Sequence, residues 1–225
     1  MDHQIRKINL EDFKAIQAMS SLVFGDNIDE SNFSELLTSP HHLTLGTTFE
    51  DQLIAFTSIF FTFDSHQRLR CEIDLLAVAP DFQGRGIGKH LIAKIAEYLP
   101  ENIIFQRALI RTNNRASQKV FQSQGFQKQE PERLLYILDK PIDDSIPTLS
   151  LNHDTLLTPV LTLTYKGFWL EGNLSPSNLQ LASHHIKKDH ILLGALIPTN
   201  EYENNQQDYQ SLGGNLIGSF HWWLK

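Results

Sequence analysis

A chain of 225 residues, 41% of them apolar, carries enough hydrophobic surface for one large or two small folded domains, which excludes a disordered chain. A net charge of −7 argues against non-specific nucleic-acid binding and is compatible with cationic small substrates; the single cysteine, Cys71, excludes an internal disulfide and a cysteine metal cage. No run of 18 apolar residues occurs and the opening MDHQIRKINLED is too polar for a signal peptide, so a soluble, cytoplasmic protein with no membrane partner is expected.

In chain order, residues 4–9 alternate as a short strand, and Leu10-Glu11-Asp12 opens a helix with Phe13, Ile16, Met19 and Val23 on one face, ended by Gly25-Asp26-Asn27. A short helix is predicted over 30–38, before Pro40. Residues 42–49 and 52–63 read as strands joined by a turn at Glu50-Asp51, and 69–79 as a third strand after a turn at 64–67. Pro80 stops that strand, Gln83-Gly84-Arg85-Gly86-Ile87-Gly88 follows, and Ile87, Leu91, Ile92, Ile95, Tyr98 and Leu99 recur at helical spacing. Residues 102–110 form the next strand. Asn113-Asn114-Arg115-Ala116 opens a helix closed by Gly125. Phe126 begins a short strand, with 133–139 expected to return beside it.

A strand, a glycine turn and a helix N-terminus in succession make an anion site, because backbone N–H groups and the helix dipole converge there. The dinucleotide pattern G-x-G-x-x-G fails, since the residue three after Gly86 is Lys89. The triphosphate pattern G-x-x-x-x-G-K-[ST] fails at Gln83 and His90. The stretch instead resembles the Q/R-x-x-G-x-G/A signature of the GNAT N-acetyltransferases. Asn114-Arg115-Ala116-Ser117, then Phe121, then Gly125-Phe126, resembles the family's second motif, and the element order matches over about residues 3–140.

The resemblance implies an α/β (α+β) GNAT fold, a mixed central sheet flanked by helices, in a domain of residues 1–140, with acetyl-CoA as cosubstrate and, as acceptor by direct attack, an amine, either a small primary amine or a peptide amine. It assigns the pantetheine and acetyl carbonyl to the backbone of Leu76, Ala77 and Val78. The pyrophosphate goes to Gln83, Gly84, Arg85, Gly86, Ile87, Gly88 and Lys89, with Arg85 and Lys89 adding charge. Asn114, Ser117 and Phe121 would lie along the CoA tail. Phe121 stands where the family often has a tyrosine proposed as general acid, and phenylalanine cannot donate a proton; Tyr136 and Tyr98 are the substitutes, with Tyr98 on an apolar helix face.

Transfer to an amine needs a neutral nitrogen. An alkyl amine of pKa ~10.4 is about one part in 2,000 neutral at pH 7, a penalty of roughly 4–5 kcal/mol, which a nearby carboxylate reduces. Simple alternation puts Glu72, Asp74, Leu76 and Val78 on one strand face and Cys71, Ile73, Leu75 and Ala77 on the other. Two acids in an apolar strand point to a wet cleft. Glu72, eleven residues before Gln83 as in several GNAT members, is the leading general base, and Asp74 the second candidate or acceptor ligand. The competing role for either is a salt bridge to an arginine such as Arg70. Cys71 reads as a buried apolar residue. Adjacent histidines at 41–42 and 184–185 point to opposite faces of a strand, so no metal is expected.

Residues 141–147, with two prolines and two acids, read as a linker. Beyond it, 148–225 reads as a small β-rich domain of unrecognised family, with strands at 156–165, 167–174, 179–184, 190–197 and 216–224, no helical periodicity, and a solvated loop at 201–210. Trp222 and Trp223 would serve a partner or a homodimer contact. The rival function is a catalytically inactive acyl-CoA sensor or scaffold with a partner-binding β-domain.

Overall fold

The computed structural model describes residues 3–25, 27–142, 151, 153–186 and 191–225. The strands are β1 (Gln4–Lys7), β2 (His42–Phe49), β3 (Gln52–Phe63), β4 (Leu69–Val78), β5 (Gln106–Arg111), β6 (Gln127–Lys128), β7 (Arg133–Leu138), β8 (Thr155–Leu161), β9 (Lys166–Gly172), β10 (Leu192–Pro198) and β11 (Asn215–Leu224). The helices are α1 (Phe13–Phe24), α2 (Glu30–Thr38), α3 (Ile87–Ile95), α4 (Arg115–Ser123), α5 (Pro176–Ser183), α6 (Thr199–Asn204) and α7 (Gln206–Ser211). Among the described residues the strands join one mixed sheet in the order β1-β2-β3-β4-β5-β11-β7-β10-β9-β8, with β6 also on β11. No helix among them is long and apolar enough to cross a membrane.

Local chemistry sets the first half. Asp29 caps α2 by accepting from the Ser31 and Asn32 N–H groups. Glu50 and Asp51, both at positive φ (49° and 60°), form the two-residue turn that sets the β2–β3 register. Helix α3 buries Ile87, Leu91, Ile92 and Ile95 against one face of the sheet, each worth roughly 1.5–3 kcal/mol. Helices α1 and α2 cover the other face through Ile16, Met19, Phe33 and Leu36.

Several expectations are corrected. Residues 102–105 lie outside β5, which starts at Gln106. Strand β6 pairs with β11, and β7 pairs with β11 and β10, so β6 and β7 do not form a hairpin with each other. The C-terminal strand lies between β5 and β7. Residues 179–184 belong to α5 and the turn after it, because Ser175 caps the helix and Pro176 starts it. The expected solvated loop at 201–210 is α6 and α7, which insert Tyr202 and Tyr209 into the core. Residues 143–147 of the expected linker lie outside the described residues. Trp223 is buried and Trp222 half-buried within the sheet, so neither forms an outward contact surface.

Strand β4 departs from plain alternation. Ser58 pairs with Leu75 but Ile59 with Ile73, so Asp74 is an extra, bulged residue. Cys71 and Ile73 therefore pack on the α3 side together with Leu76 and Val78, while Leu75 and Ala77 pack on the α1–α2 side. The expected grouping of Glu72 and Asp74 with Leu76 and Val78 is corrected, because one inserted residue exchanges the faces beyond it.

Candidate active site

Strands β4 and β5 run parallel and pair only from Cys71–Gln106 to Ile73–Ala108, then part. Beyond that fork β4 stays paired to β3 alone. The glycine turn follows: Gly84 and Gly86 sit at φ 75° and 79°, a region open to glycine at little cost. Gln83 Nε2 donates to the Val78 carbonyl at 3.0 Å, tying the turn to the end of β4. Helix α3 begins at Ile87, and His90 N–H donates to Gly86 O at 3.0 Å to close its first turn. The N–H groups of that turn have no acceptor inside the helix. Gln83, Gly84, Arg85, Gly86 and Lys89 are exposed around it, while Ile87 and Gly88 are buried. The Arg85 guanidinium lies 5.3 Å over the Phe82 ring. The expected phosphate residues thus come together at one exposed helix start beside the fork.

The α4 residues serve that helix and the core. Asn114 Oδ1 accepts from the Ser117 N–H at 3.0 Å as its cap, so this side chain is used in folding. Phe121 is 3% exposed and meets Phe126 edge-on at 5.0 Å inside the α3-side core, where it fills space. Tyr136 is committed elsewhere: its hydroxyl donates to Tyr209 O at 2.8 Å and accepts from Gly214 N–H at 2.9 Å. Tyr98 is half-buried at the far end of α3, with Lys7 5.3 Å over its ring.

Glu72 and Asp74 both line a cavity of about 450 Å³ on the other side of the fork. Glu72 is 5% exposed and fully engaged: Oε1 accepts from Thr62 Oγ1 at 2.7 Å and pairs with Arg70 Nε at 2.9 Å, while Oε2 pairs with Arg107 Nε at 2.7 Å. Glu171 of β9 completes the cluster. It takes Arg70 Nη1 and Nη2 at 2.9 and 2.8 Å and also binds Arg107 Nη2. Burial alone would raise the Glu171 carboxyl, but Arg107 and Arg70 hold it below the usual glutamate range. Burial would lower Arg107, and Glu72 and Glu171 instead raise it. The Arg107 guanidinium also stacks 4.0 Å over Trp222. Asp74 is half-buried at the bulge, one residue past the last β4–β5 pair. Cys71 is wholly buried, and burial pushes its thiol up. Among the described residues no His, Cys, Asp and Glu side chains converge as metal ligands would.

The salt-bridge role for Glu72 was legible through Arg70. Arg107, Glu171, Trp169 and Trp222 were missed, because they reach the cavity from strands far apart in sequence, and an Arg or Glu inside an alternating strand carries no local signal.

A profile described as Acetyltransferase (GNAT) family matches residues 4–126. N-alpha-acetyltransferase RimI of Mycobacterium tuberculosis is 27% identical over 104 residues, which are 46% of this chain and 64% of that protein. Arabidopsis thaliana NAA60 in complex with a bisubstrate analogue superposes with a TM-score of 0.52 at 15% identity, over 59% of this chain and 87% of that one. The aminoglycoside 6'-N-acetyltransferase AAC(6')-Ih of Acinetobacter baumannii does so with a TM-score of 0.52 at 18% identity, over 58% and 94%. Both show a shared fold.

Proposed function

Because the chain belongs to the GNAT acetyltransferase family, we propose that it transfers the acetyl group of acetyl-CoA to an amine acceptor by direct attack. The observation that carries this reading is the glycine turn, which brings the first turn of α3 to the fork of β4 and β5, with an acid-bearing bulge on the fork's other side. In this reading the N–H groups of residues 84–89 hold the pyrophosphate, helped by Arg85 and Lys89, and the free edge of Leu76, Ala77 and Val78 lies beside the pantetheine.

The amine nitrogen attacks the thioester carbon, the C–S bond breaks, and the thiolate leaves. Asp74 takes the ammonium proton, directly or through a water. This reverses the expected order of the two acids. Glu72 spends both oxygens on Arg70, Arg107 and Thr62, so a proton placed there would break buried ion pairs. Its role is to hold Arg107 and the cavity wall. With Phe121 in the core, the thiolate takes its proton from solvent; a thiol of pKa ~8.5 leaves without a dedicated acid.

The test is release of CoA thiol across a panel of amines. Asp74→Asn should lower kcat by about 10²–10⁴ while acetyl-CoA affinity is kept. An Asp74→Asn protein with wild-type kcat overturns the assignment. Tight acetyl-CoA binding with no turnover of any amine would favour a sensor or scaffold, the reading that Phe121 supports.

A further inference from the structure

Strands β7 and β11 pair with each other, so residues 139–214 are an insertion between two neighbouring strands of the sheet. Among the described residues the insertion adds β10, β9 and β8 beyond β7 and makes β8 the last strand on that side. The β8–β9 hairpin returns to the first half of the chain, where Leu161 and Leu163 pack with Phe33 and Leu36, and Glu171 grips Arg70 and Arg107. A groove of about 580 Å³ lies between β8 and the end of β3. Residues 156–161 of β8 all line it, a length of about 20 Å at ~3.3 Å per residue.

The hydrogen-bond pattern fixes which main-chain groups face outward. Thr162 N–H donates to Tyr165 O at 2.7 Å, which begins the alternation along the hairpin. Leu156, Thr158 and Val160 therefore turn their main-chain groups to β9, opposite Glu171, Trp169 and Gly167, and Leu157, Pro159 and Leu161 turn theirs away from it. Pro159, with no N–H to give, suits an outward place. Leu161 meets the His42 ring at one end of the groove. Among the described residues no main-chain group pairs with this edge. Leu157 thus offers an N–H and a C=O there, and Pro159 a C=O.

The occupant follows from these groups and from the facing wall. An unpaired strand edge is a template for another strand, because an extended main chain carries donors and acceptors at the matching spacing. Across the groove His42 stacks on Phe60 at 5.6 Å, and Phe63 is exposed beside them, which gives a guest strand apolar surface for alternate side chains. A second copy pairing β8 with β8 would bring its own β9 about 4.8 Å further on, into the wall where Phe60 and Glu35 stand. Phe60, Thr62, Thr158 and Val160 line both this groove and the cavity beside the fork, so the two adjoin.

We propose that the outer edge of β8 docks an extended polypeptide segment, which adds to the sheet as its next strand. The adjoining cavity makes that polypeptide the amine acceptor, a part of the inference that rests on the acetyl-transfer reading above.

The test uses the full chain and a nonapeptide begun by alanine, with three valines and three threonines in alternation and two C-terminal arginines, labelled at its C-terminus. Fluorescence polarisation reports binding, and CoA-thiol release reports turnover. Main-chain pairing tolerates sequence, so this peptide should bind saturably. Methylating the main-chain nitrogens of the valines in one version and of the threonines in another separates the two edges of the guest strand. One version should lose about tenfold or more in affinity and the other should keep it. Leu157→Pro removes an outward N–H that β9 does not use, and should weaken the peptide by a similar factor with acetyl-CoA affinity unchanged. Should that variant fail to fold, the methylated pair on the wild-type protein decides alone. Absence of saturable binding, or equal affinity for the two methylated versions, overturns the proposal. A protein that sediments as a dimer and admits no peptide overturns it too, in favour of a second copy at this edge. Binding with the methylation pattern but no CoA release leaves the docking inference standing and sinks the acetyl-transfer reading instead.

Discussion

Removing the carboxylate of Glu171 tests whether the insertion is fastened to the first half by a buried ion cluster. In Glu171→Ala the Arg70 and Arg107 guanidiniums lose three charge-assisted contacts and are left to share Glu72. The side chains of Arg70, Arg107 and Glu171 are 4%, 11% and 21% exposed, so the buried regime applies rather than the surface one. Breaking a buried pair costs about 3–5 kcal/mol, against at most ~1 kcal/mol for a surface pair. For a chain of this size that is a fall in Tm of about 6–20 °C. Circular dichroism melts at neutral pH measure it. The sign with pH also follows. The folded-state carboxyl lies below its ordinary range, so its stabilisation is full above the unfolded glutamate pKa of about 4.3 and fades as pH falls below it. The gap between wild type and variant should therefore narrow between about pH 5 and pH 3. A loss under ~1 kcal/mol at neutral pH, or a gap that widens in acid, refutes the reasoning.

Gly86→Ala places a β-carbon at φ 79° with no atom within 4 Å, so backbone strain alone should cost about 1–2 kcal/mol in urea unfolding. Gly88→Ala, whose β-carbon would rest at 3.5 Å from Leu76 Cδ2, should stay within about 0.5 kcal/mol of wild type; an equal cost at both positions would contradict the left-handed turn. Deleting residues 215–225 removes the common neighbour of β5 and β7 together with Trp223 and Phe220, and should abolish cooperative unfolding; a soluble truncated chain with wild-type acetyl-CoA affinity would show β11 to be dispensable for the fold. Cys71, wholly buried with its thiol pushed up, should resist iodoacetamide until the protein unfolds, and rapid labelling of the native protein would place it elsewhere.

Local signals carried much of the fold. The bounds of α2, β2 and β3 follow from Asp29, the Glu50-Asp51 turn and the apolar periodicity, and the start of α3 follows from its glycines. Local signals are weaker in the second half: Ser175-Pro176 starts a helix inside a stretch whose composition favours strand, and the tyrosines of α6 and α7 sit in a polar stretch whose burial depends on the hydrophobic cluster around Tyr136.

The sequence by itself determined the family, the cofactor-type turn from Gln83 to Lys89 and the acid-bearing strand, because each is a run of contiguous residues whose spacing has a direct backbone consequence. Tertiary structure alone decided that both oxygens of Glu72 are held in ion pairs, since Arg107 reaches it from another strand beside neighbouring Arg70, and that a bulge at Asp74 exchanges the strand faces beyond it. It also decided that β11 belongs between β5 and β7 and that Glu171 reaches Arg70 and Arg107 in the cavity wall. Strand pairing and buried charge pairing join residues up to about a hundred positions apart, and alternation within one segment holds no record of the partner it will meet.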